Sequence, residues 1–250
     1  MKITVLTENN SRIDNYLLAE PGLSLLIEVD NKKILFDTGY SDVFLKNAKT
    51  LKIDLSDITD IVISHGHNDH TRGLQFLNLE NKKIKFTAHP NIFDTKVDED
   101  KIHYGCPISK EALKKKYVLN LTQNPYWISE NLCFLGEIEN NKSSDIDDSA
   151  LVYKAEKGLF IITGCSHSGI INILKYAQKV TGINHIYGIF GGFHLLCKNN
   201  IEIEKIAQVF KDEQIQYLAP CHCCNLNSKI ILSKYLPIEE ICSSDEIMLE

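Results

Sequence analysis

Asp60-Ile61-Val62-Ile63-Ser64 is a compact apolar strand that runs directly into His65-Gly66-His67-Asn68-Asp69-His70. Transition metals are held by neutral imidazoles and carboxylate oxygens converging at about 2.0–2.2 Å. In an extended loop His65 and His67 point to the same side, because side chains alternate, and Gly66 permits a sharp backbone turn. Asp69 and His70, at the start of the helix expected next, address a second position a few ångströms away. Two metals about 3.5–4 Å apart can clamp a phosphoryl or carbonyl oxygen during a displacement. The plainer alternative is a histidine-rich turn in which Asp69 caps the following helix. Three histidines and an aspartate within six residues, directly after a core strand, weigh against it.

Outward from this stretch, strands are expected at 2–7, 23–30 and 33–37, the last two flanking a turn at Asn31-Lys32. Asp37-Thr38-Gly39 ends the third strand, and residues 41–51 have the spacing of a short amphipathic helix. Leu74, Phe76 and Leu77 suggest a helix beyond the ligand loop, and 84–89 resume strand character until Pro90. Between about 91 and 125 the pattern weakens around Gly105, Pro107 and a polar helix at 109–119, which reads as a lid inserted over the mouth of the site. Strands return near 126–138, 148–155 and 158–163. Three apolar strands then end in histidine-bearing loops that pass into helices: 158–163 before Gly164-Cys165-Ser166-His167, 186–190 before Gly191-Gly192-Phe193-His194, and 217–220 before Cys221-His222. Ligands collect at the carboxyl ends of strands in layered α/β proteins.

The bulk composition, 44% hydrophobic and 24% charged, is that of an ordinary soluble globular protein. Its 250 residues are within reach of one large domain spanning 1–250 that needs no disulfides to stabilise its core. A formal charge of −6 argues against a broad nucleic-acid surface while permitting a local basic pocket. No apolar run approaches the roughly 20 residues that cross a bilayer. The first residues read as a strand and lack the features of a signal peptide, so a cytoplasmic location is expected. Of eight cysteines, Cys221, Cys223 and Cys224 crowd around His222 and the others are scattered. Most are expected to be buried small apolar residues; the cluster lacks the regular spacing of an iron–sulfur motif.

His-x-His-x-Asp-His after a strand, preceded by Leu35-Phe36-Asp37-Thr38-Gly39, resembles the metallo-β-lactamase superfamily. Thr163-Gly164-Cys165-Ser166-His167-Ser168-Gly169, Gly191-Gly192-Phe193-His194-Leu195 and Ala219-Pro220-Cys221-His222-Cys223 are similar to the branch named after dihydropterin (ribofuranosyl)aminobenzene phosphate synthase. The resemblance implies a four-layer αββα sandwich with metals at one edge. It puts His65 and His67 on a first metal, Asp69, His70 and His222 on a second, and makes Asp37 the aspartate that orients the ligand loop.

The chain departs from the family pattern in two places. Where many relatives read Thr-Gly-Asp, Thr163-Gly164 is followed by Cys165, and where many carry a further histidine this chain offers Asp145, Asp147 and Asp148. His167 is the preferred additional ligand, His194 an auxiliary ligand or proton shuttle, and Asp148 a site-adjacent residue. Arg72 is placed to meet a substrate phosphate or carboxylate. His89 is expected at a strand-end surface, His103 in the lid, and His185 in a structural role.

The expected activity is hydrolysis of an ester, phosphoester or related bond of a small, anionic molecule by metal-activated hydroxide, with Asp69 and His194 as catalytic groups. Zinc is the expected metal, as one or two ions, with iron or manganese as alternatives. The branch name implies a different reaction, joining a pterin to an aminobenzene ribosyl phosphate. An iron-containing redox protein is a third possibility.

Overall fold

A computed structural model describes residues 1–79, 83–139 and 146–249 of the protein. In chain order the regular elements are β1 (Lys2–Thr7), β2 (Ser24–Val29), β3 (Lys32–Phe36), α1 (Val43–Thr50), β4 (Asp60–Val62), α2 (Asn68–Thr71), β5 (Lys85–Ala88), α3 (Lys110–Lys116) and β6 (Val118–Leu121). Then follow β7 (Tyr126–Trp127), β8 (Leu132–Phe134), β9 (Ala150–Ala155), β10 (Gly158–Thr163), α4 (Ile170–Thr181), β11 (Ile186–Gly191), α5 (Asn200–Asp212), β12 (Tyr217–Pro220), α6 (Leu226–Ser233) and β13 (Glu246–Met248). They divide between two compact units, one of Met1–Gln123 with Cys242–Leu249 and one of Asn124–Ile241.

The first unit is built on a seven-stranded sheet in the order β13-β1-β2-β3-β4-β5-β6. Its first half is antiparallel and β3 through β6 run parallel, so β3, β4 and β5 release their loops at a common end. Leu6, Leu26, Leu35, Ile61 and Phe86 bury one sheet face against Phe44 and Ala48 of α1 and Leu113 of α3. Each of the Leu, Ile and Phe side chains contributes roughly 1.5–3 kcal/mol by leaving water. The β2–β3 hairpin turns at Asp30-Asn31, one residue before the expected Asn31-Lys32: Val29 pairs with Lys32, and Asp30 and Asn31 take φ of 47° and 59°. Two consecutive left-handed residues are what a two-residue turn between right-twisted strands requires, and Asp and Asn tolerate that region.

The second unit carries a six-stranded sheet, β12-β11-β10-β9-β8-β7, in which β10, β11 and β12 are parallel neighbours. Val152, Ile161, Ile189 and Leu218 pack under Ile173 and Ala177 of α4, Ile203 and Phe210 of α5, and Ile231 of α6. The three strand–histidine–helix passages therefore stand side by side in one sheet. Two mixed sheets bearing helices place the protein in the expected α/β class.

Two short strands, β6 and β13, were not expected from the pattern, and the helix after His70 is shorter than expected. That helix is a single α turn, α2, followed by a 3₁₀ turn over Arg72–Gln75 that leaves Phe76 exposed. No helix among the described residues is long and apolar enough to cross a membrane.

Candidate metal centre

In the first unit β4 delivers its chain into the ligand loop, and the neighbouring end of β3 grips it. Asp37, at φ 55° and fully buried, accepts hydrogen bonds from the Ser64 amide (2.7 Å), the Ser64 hydroxyl (2.7 Å) and His70 Nδ1 (2.7 Å). Thr38 donates its amide and hydroxyl to the His70 carbonyl at 2.8 and 3.0 Å. Gly73 lets the two segments touch, since a Cβ there would lie 1.9 Å from the Thr38 carbonyl oxygen. The Asp37-Thr38-Gly39 motif is thus a clamp on the ligand loop.

The clamp also decides tautomers. Ser64 Oγ spends its proton on Asp37, so at 2.9 Å from His65 Nδ1 it accepts, and His65 carries its proton on Nδ1. His70 likewise donates from Nδ1 to Asp37, so both rings carry a lone pair on Nε2. The His65 ring centroid lies 4.5 Å from that of His67 and 4.3 Å from that of His70, and His65 and His70 are fully buried. The Asp69 carboxylate stands 3.7 Å from His70 Nε2. The α2 N-cap is His67, with no side-chain cap bond, so Asp69 is not used as a helix cap.

In the second unit the loops after β10, β11 and β12 interlock. The Gly192 carbonyl accepts from Thr163 Oγ1 at 2.8 Å and Ser166 Oγ at 2.6 Å, and the Gly192 amide donates to the Gly164 carbonyl at 3.0 Å. A Cβ on Gly192 would meet the Gly164 carbonyl oxygen at 2.3 Å and Cys223 Sγ at 2.6 Å. The rings of His167 and His194 are thereby brought to 4.3 Å, and Cys165 Sγ lies within 4.8 Å of a His222 ring nitrogen.

Asp148 is to this unit what Asp37 is to the first. It is fully buried, and its Oδ2 accepts from the Ser168 amide at 2.8 Å, anchoring the residue next to His167. Burial pushes its carboxyl up to about 6, against the lowering effect of the Ser168 hydrogen bonds. Asp147 is also buried, and Asp145 lies outside the described residues.

The clustered cysteines knit loops. Cys223 Sγ accepts from the His194 amide at 3.2 Å and donates to the Cys165 carbonyl at 3.5 Å, while Cys224 Sγ accepts from the Phe193 amide at 3.4 Å. Hydrogen bonding to Cys165 chiefly holds the Cys223 thiol well above its usual range, and burial does the same for Cys224, so both stay protonated. Among the described residues Cys221, Cys223 and Cys224 form no ligand group of three.

His89 corrects the expected surface placement. It is fully buried at the end of β5, where its Nδ1 accepts from the Asn91 amide at 3.2 Å and caps a 3₁₀ turn. His103 faces a cavity of about 460 Å³ that Arg72 also lines, and His185 is exposed on the loop after α4. Of the segment expected as a lid, residues from Phe93 to Pro107 wall that cavity, whereas Val118–Leu121 pair with β5.

The donor set suits a transition metal. Two buried imidazoles hold lone pairs on Nε2, and a carboxylate stands 3.7 Å from one of them; two electron-rich atoms so placed repel unless a cation lies between them. The residues that reasoning from sequence missed are Ser64, which selects the His65 tautomer, and Thr38 and Gly73, which close the clamp. Backbone strain was also missed: Asp37, Ser166, His194 and His222 all have φ between 51° and 63°. Non-glycine residues held there at strand ends are a mark of functional sites.

The family described as the metallo-beta-lactamase superfamily matches residues 18–160. The 7,8-dihydropterin-6-methyl-4-(beta-D-ribofuranosyl)-aminobenzene-5'-phosphate synthase of Methanocaldococcus jannaschii is 32% identical, over 92% of this chain and 89% of that protein. The uncharacterized protein MJ0448 of the same organism is 33% identical over 93% and 94% of the two chains. The crystal structure of Tm1679, a metal-dependent hydrolase of the beta-lactamase superfamily, superimposes with a TM-score of 0.86 at 31% identity, covering 99% of this chain and 98% of that one. A clamped His-x-His-x-Asp-His loop on the sheet of one unit, histidine loops at three strand ends of the other, and matches along most of the sequence lead to one assignment: the chain belongs to the metallo-β-lactamase superfamily.

Proposed function

We propose that the protein is a metal-dependent hydrolase acting on an ester, phosphoester or related bond of a small anionic molecule, with zinc as its metal. The observation that carries this is the pairing of His70 Nε2, a lone-pair donor by its bond to Asp37, with the Asp69 carboxylate at 3.7 Å. His65, His67, Asp69 and His70 would be the metal ligands carried by the first unit, and His167 and His222 those carried by the second, with Cys165 standing where many relatives place an aspartate. Family membership supports one or more divalent ions at these residues. Such a metal, when bound, lowers the pKa of water from about 15.7 towards 7 and polarises the bond to be broken.

The chain's own groups have distinct duties in this reading. Asp37 keeps His65 and His70 in the ligating tautomer without itself binding metal, and Asp148 holds the His167 loop. Asp69, partly exposed, borders a cavity of about 370 Å³ together with His67, Tyr40 and Tyr104, where it orients the attacking water. His194, beside His167, hands a proton to the leaving group. The segment from about 91 to 125 serves as a lid over the substrate.

Replacing His65 and His67 together by alanine tests the assignment. Elemental analysis should find metal content reduced to background, no hydrolysis of phosphodiester or lactone substrates, and a largely unchanged circular dichroism spectrum. Normal metal content in the double variant would refute it.

One observation favours a second reading. The relative from Methanocaldococcus jannaschii, matched over 92% of this chain, bears the name of a synthase. Under that reading the same site joins a pterin to an aminobenzene ribosyl phosphate, and consumption of both partners in a coupled assay separates it from hydrolysis. Iron with a visible spectrum in anaerobically purified protein would instead support redox use of the site.

A further inference from the structure

We propose that the cavity walled by Tyr40, Arg72, Lys96 and His103 is a phosphate-binding subsite, separate from the metal ligands, that holds the non-reacting phosphomonoester of a small organic substrate. The inference rests on the metal-centre reading only for the direction in which the substrate lies.

Arg72 sits two residues after His70, on the 3₁₀ turn, half-buried, with its guanidinium 4.4 Å from the Tyr40 ring centroid. Stacking on an aromatic face fixes the plane of the guanidinium and leaves its in-plane N–H fork for a ligand. Among the described residues no carboxylate pairs with it. Lys96 and His103 line the same cavity from a second segment, whose backbone is pinned by a bridge between Val97 and His103 and by Tyr104 N donating to the Lys96 carbonyl at 3.1 Å.

Asp94 lies on the same wall, its Oδ2 accepting from Asn91 Nδ2 at 2.7 Å. Two permanent cations against one carboxylate leave the cavity positive in a chain of formal charge −6. A phosphomonoester carries about −1.5 to −2 at neutral pH and three acceptor oxygens, which suits two cations lining one cavity better than a carboxylate does.

Size and position define the rest of the ligand. About 460 Å³ falls within the range of small-molecule sites, roughly 300–1,000 Å³, and far exceeds what one phosphate fills. Phe93 and Pro107 offer apolar surface for an organic body. Tyr40 and Asn68 line both this cavity and the 370 Å³ cavity bordered by His67 and Asp69. A molecule anchored by phosphate at Arg72 therefore extends past Tyr40 and Asn68 to present its reactive end at the ligand loop.

Calorimetric titration of phenyl phosphate into the purified, metal-containing protein tests the subsite, with benzoate as the carboxylate control. Arg72→Met should weaken phenyl phosphate binding by about 30-fold, and Lys96→Met by about 10-fold. Arg72→Lys should recover only part of the loss, since an ammonium lacks the fork. His65→Ala, with metal content measured in the same sample, should lose metal yet bind phenyl phosphate within about threefold of wild type. Binding that collapses in His65→Ala and persists in Arg72→Met would put the anion on the metal and overturn the subsite. Benzoate binding as tightly as phenyl phosphate would overturn the phosphate assignment. Loss in Arg72→Met beside normal metal content in His65→Ala would sustain the subsite while refuting the metal ligands.

Discussion

Asp37 concentrates more of the site's order than any candidate ligand does. One buried carboxylate, left-handed at the end of β3, fixes the Ser64 backbone, the His65 tautomer through Ser64 Oγ, and His70 directly. Asp37→Asn keeps the volume but turns one acceptor into a donor facing His70 Nδ1–H. The clash should flip the His70 tautomer and carry the proton to Nε2, where a ligand lone pair is needed. We expect metal affinity to fall about 10- to 100-fold, the usual cost of removing such an outer partner, with stability lower by roughly 1–3 kcal/mol from an unsatisfied buried group. Competition with a metal chelator and a thermal melt measure the two effects; unchanged affinity would show that the tautomer argument is wrong.

The candidate ligands could be picked out in the sequence because their spacing is local: three histidines and an aspartate after an apolar strand can be read without knowing what lies nearby. Ser64 and the cysteine thiols were not, because their partners are distant along the chain. Cys223 gains its meaning from the amide of His194 and the carbonyl of Cys165, far away in sequence.

At the scale of elements, periodicity located the long pieces and failed on the short ones. β10, α4 and α5 span 6, 12 and 13 residues and carry their own apolar period. β6 and β13 span 4 and 3 residues at the two edges of one sheet, with polar or exposed positions that leave no alternation to see. The single turn of α2 is set by the clamp rather than by propensity, which is why a longer helix was expected there. Termini with side-chain caps behave differently. Asn199 accepts from the Glu202 amide at 3.0 Å, and Glu202 Oε2 accepts from the Asn199 amide at 3.1 Å, a reciprocal capping box at the start of α5. Asn199→Ala should cost about 1 kcal/mol and lower the melting temperature by about 2–4 °C. Metal content and turnover should not change, since the cap is exposed. A melting temperature equal to wild type would mean that packing of Ile203, Ala207 and Phe210 alone sets where the helix begins.

Across the whole chain, the return of its last residues to the first sheet is what local patterns conceal most. After the second unit, Cys242–Leu249 rejoin the first, and β13 pairs with β1 through Lys2 with Met248, Ile3 with Ile247 and Thr4 with Glu246. Around that ladder the Val5 amide donates to the Asp245 carbonyl at 2.9 Å, the Ser244 amide to the Val5 carbonyl at 2.8 Å, and the Glu8 amide to Ser243 Oγ at 3.1 Å. Arg12 adds a two-pronged pair to Asp245 at 2.6 and 2.7 Å, exposed and so worth little by itself. Removing the chain after Ile241 would turn β1 into an edge strand with a row of unpaired amides and carbonyls beside an apolar face. Hydrogen exchange read by mass spectrometry should then show peptides covering Lys2–Thr7 exchanging far faster than in the full chain, and the shortened protein should associate through that edge. The same experiment separates pairing from burial: Ile3, Val5 and Leu6 are fully buried, so if burial alone protected β1 its exchange would be unaltered. Retained protection in the truncated chain would mean that β13 merely covers a sheet already complete at β1.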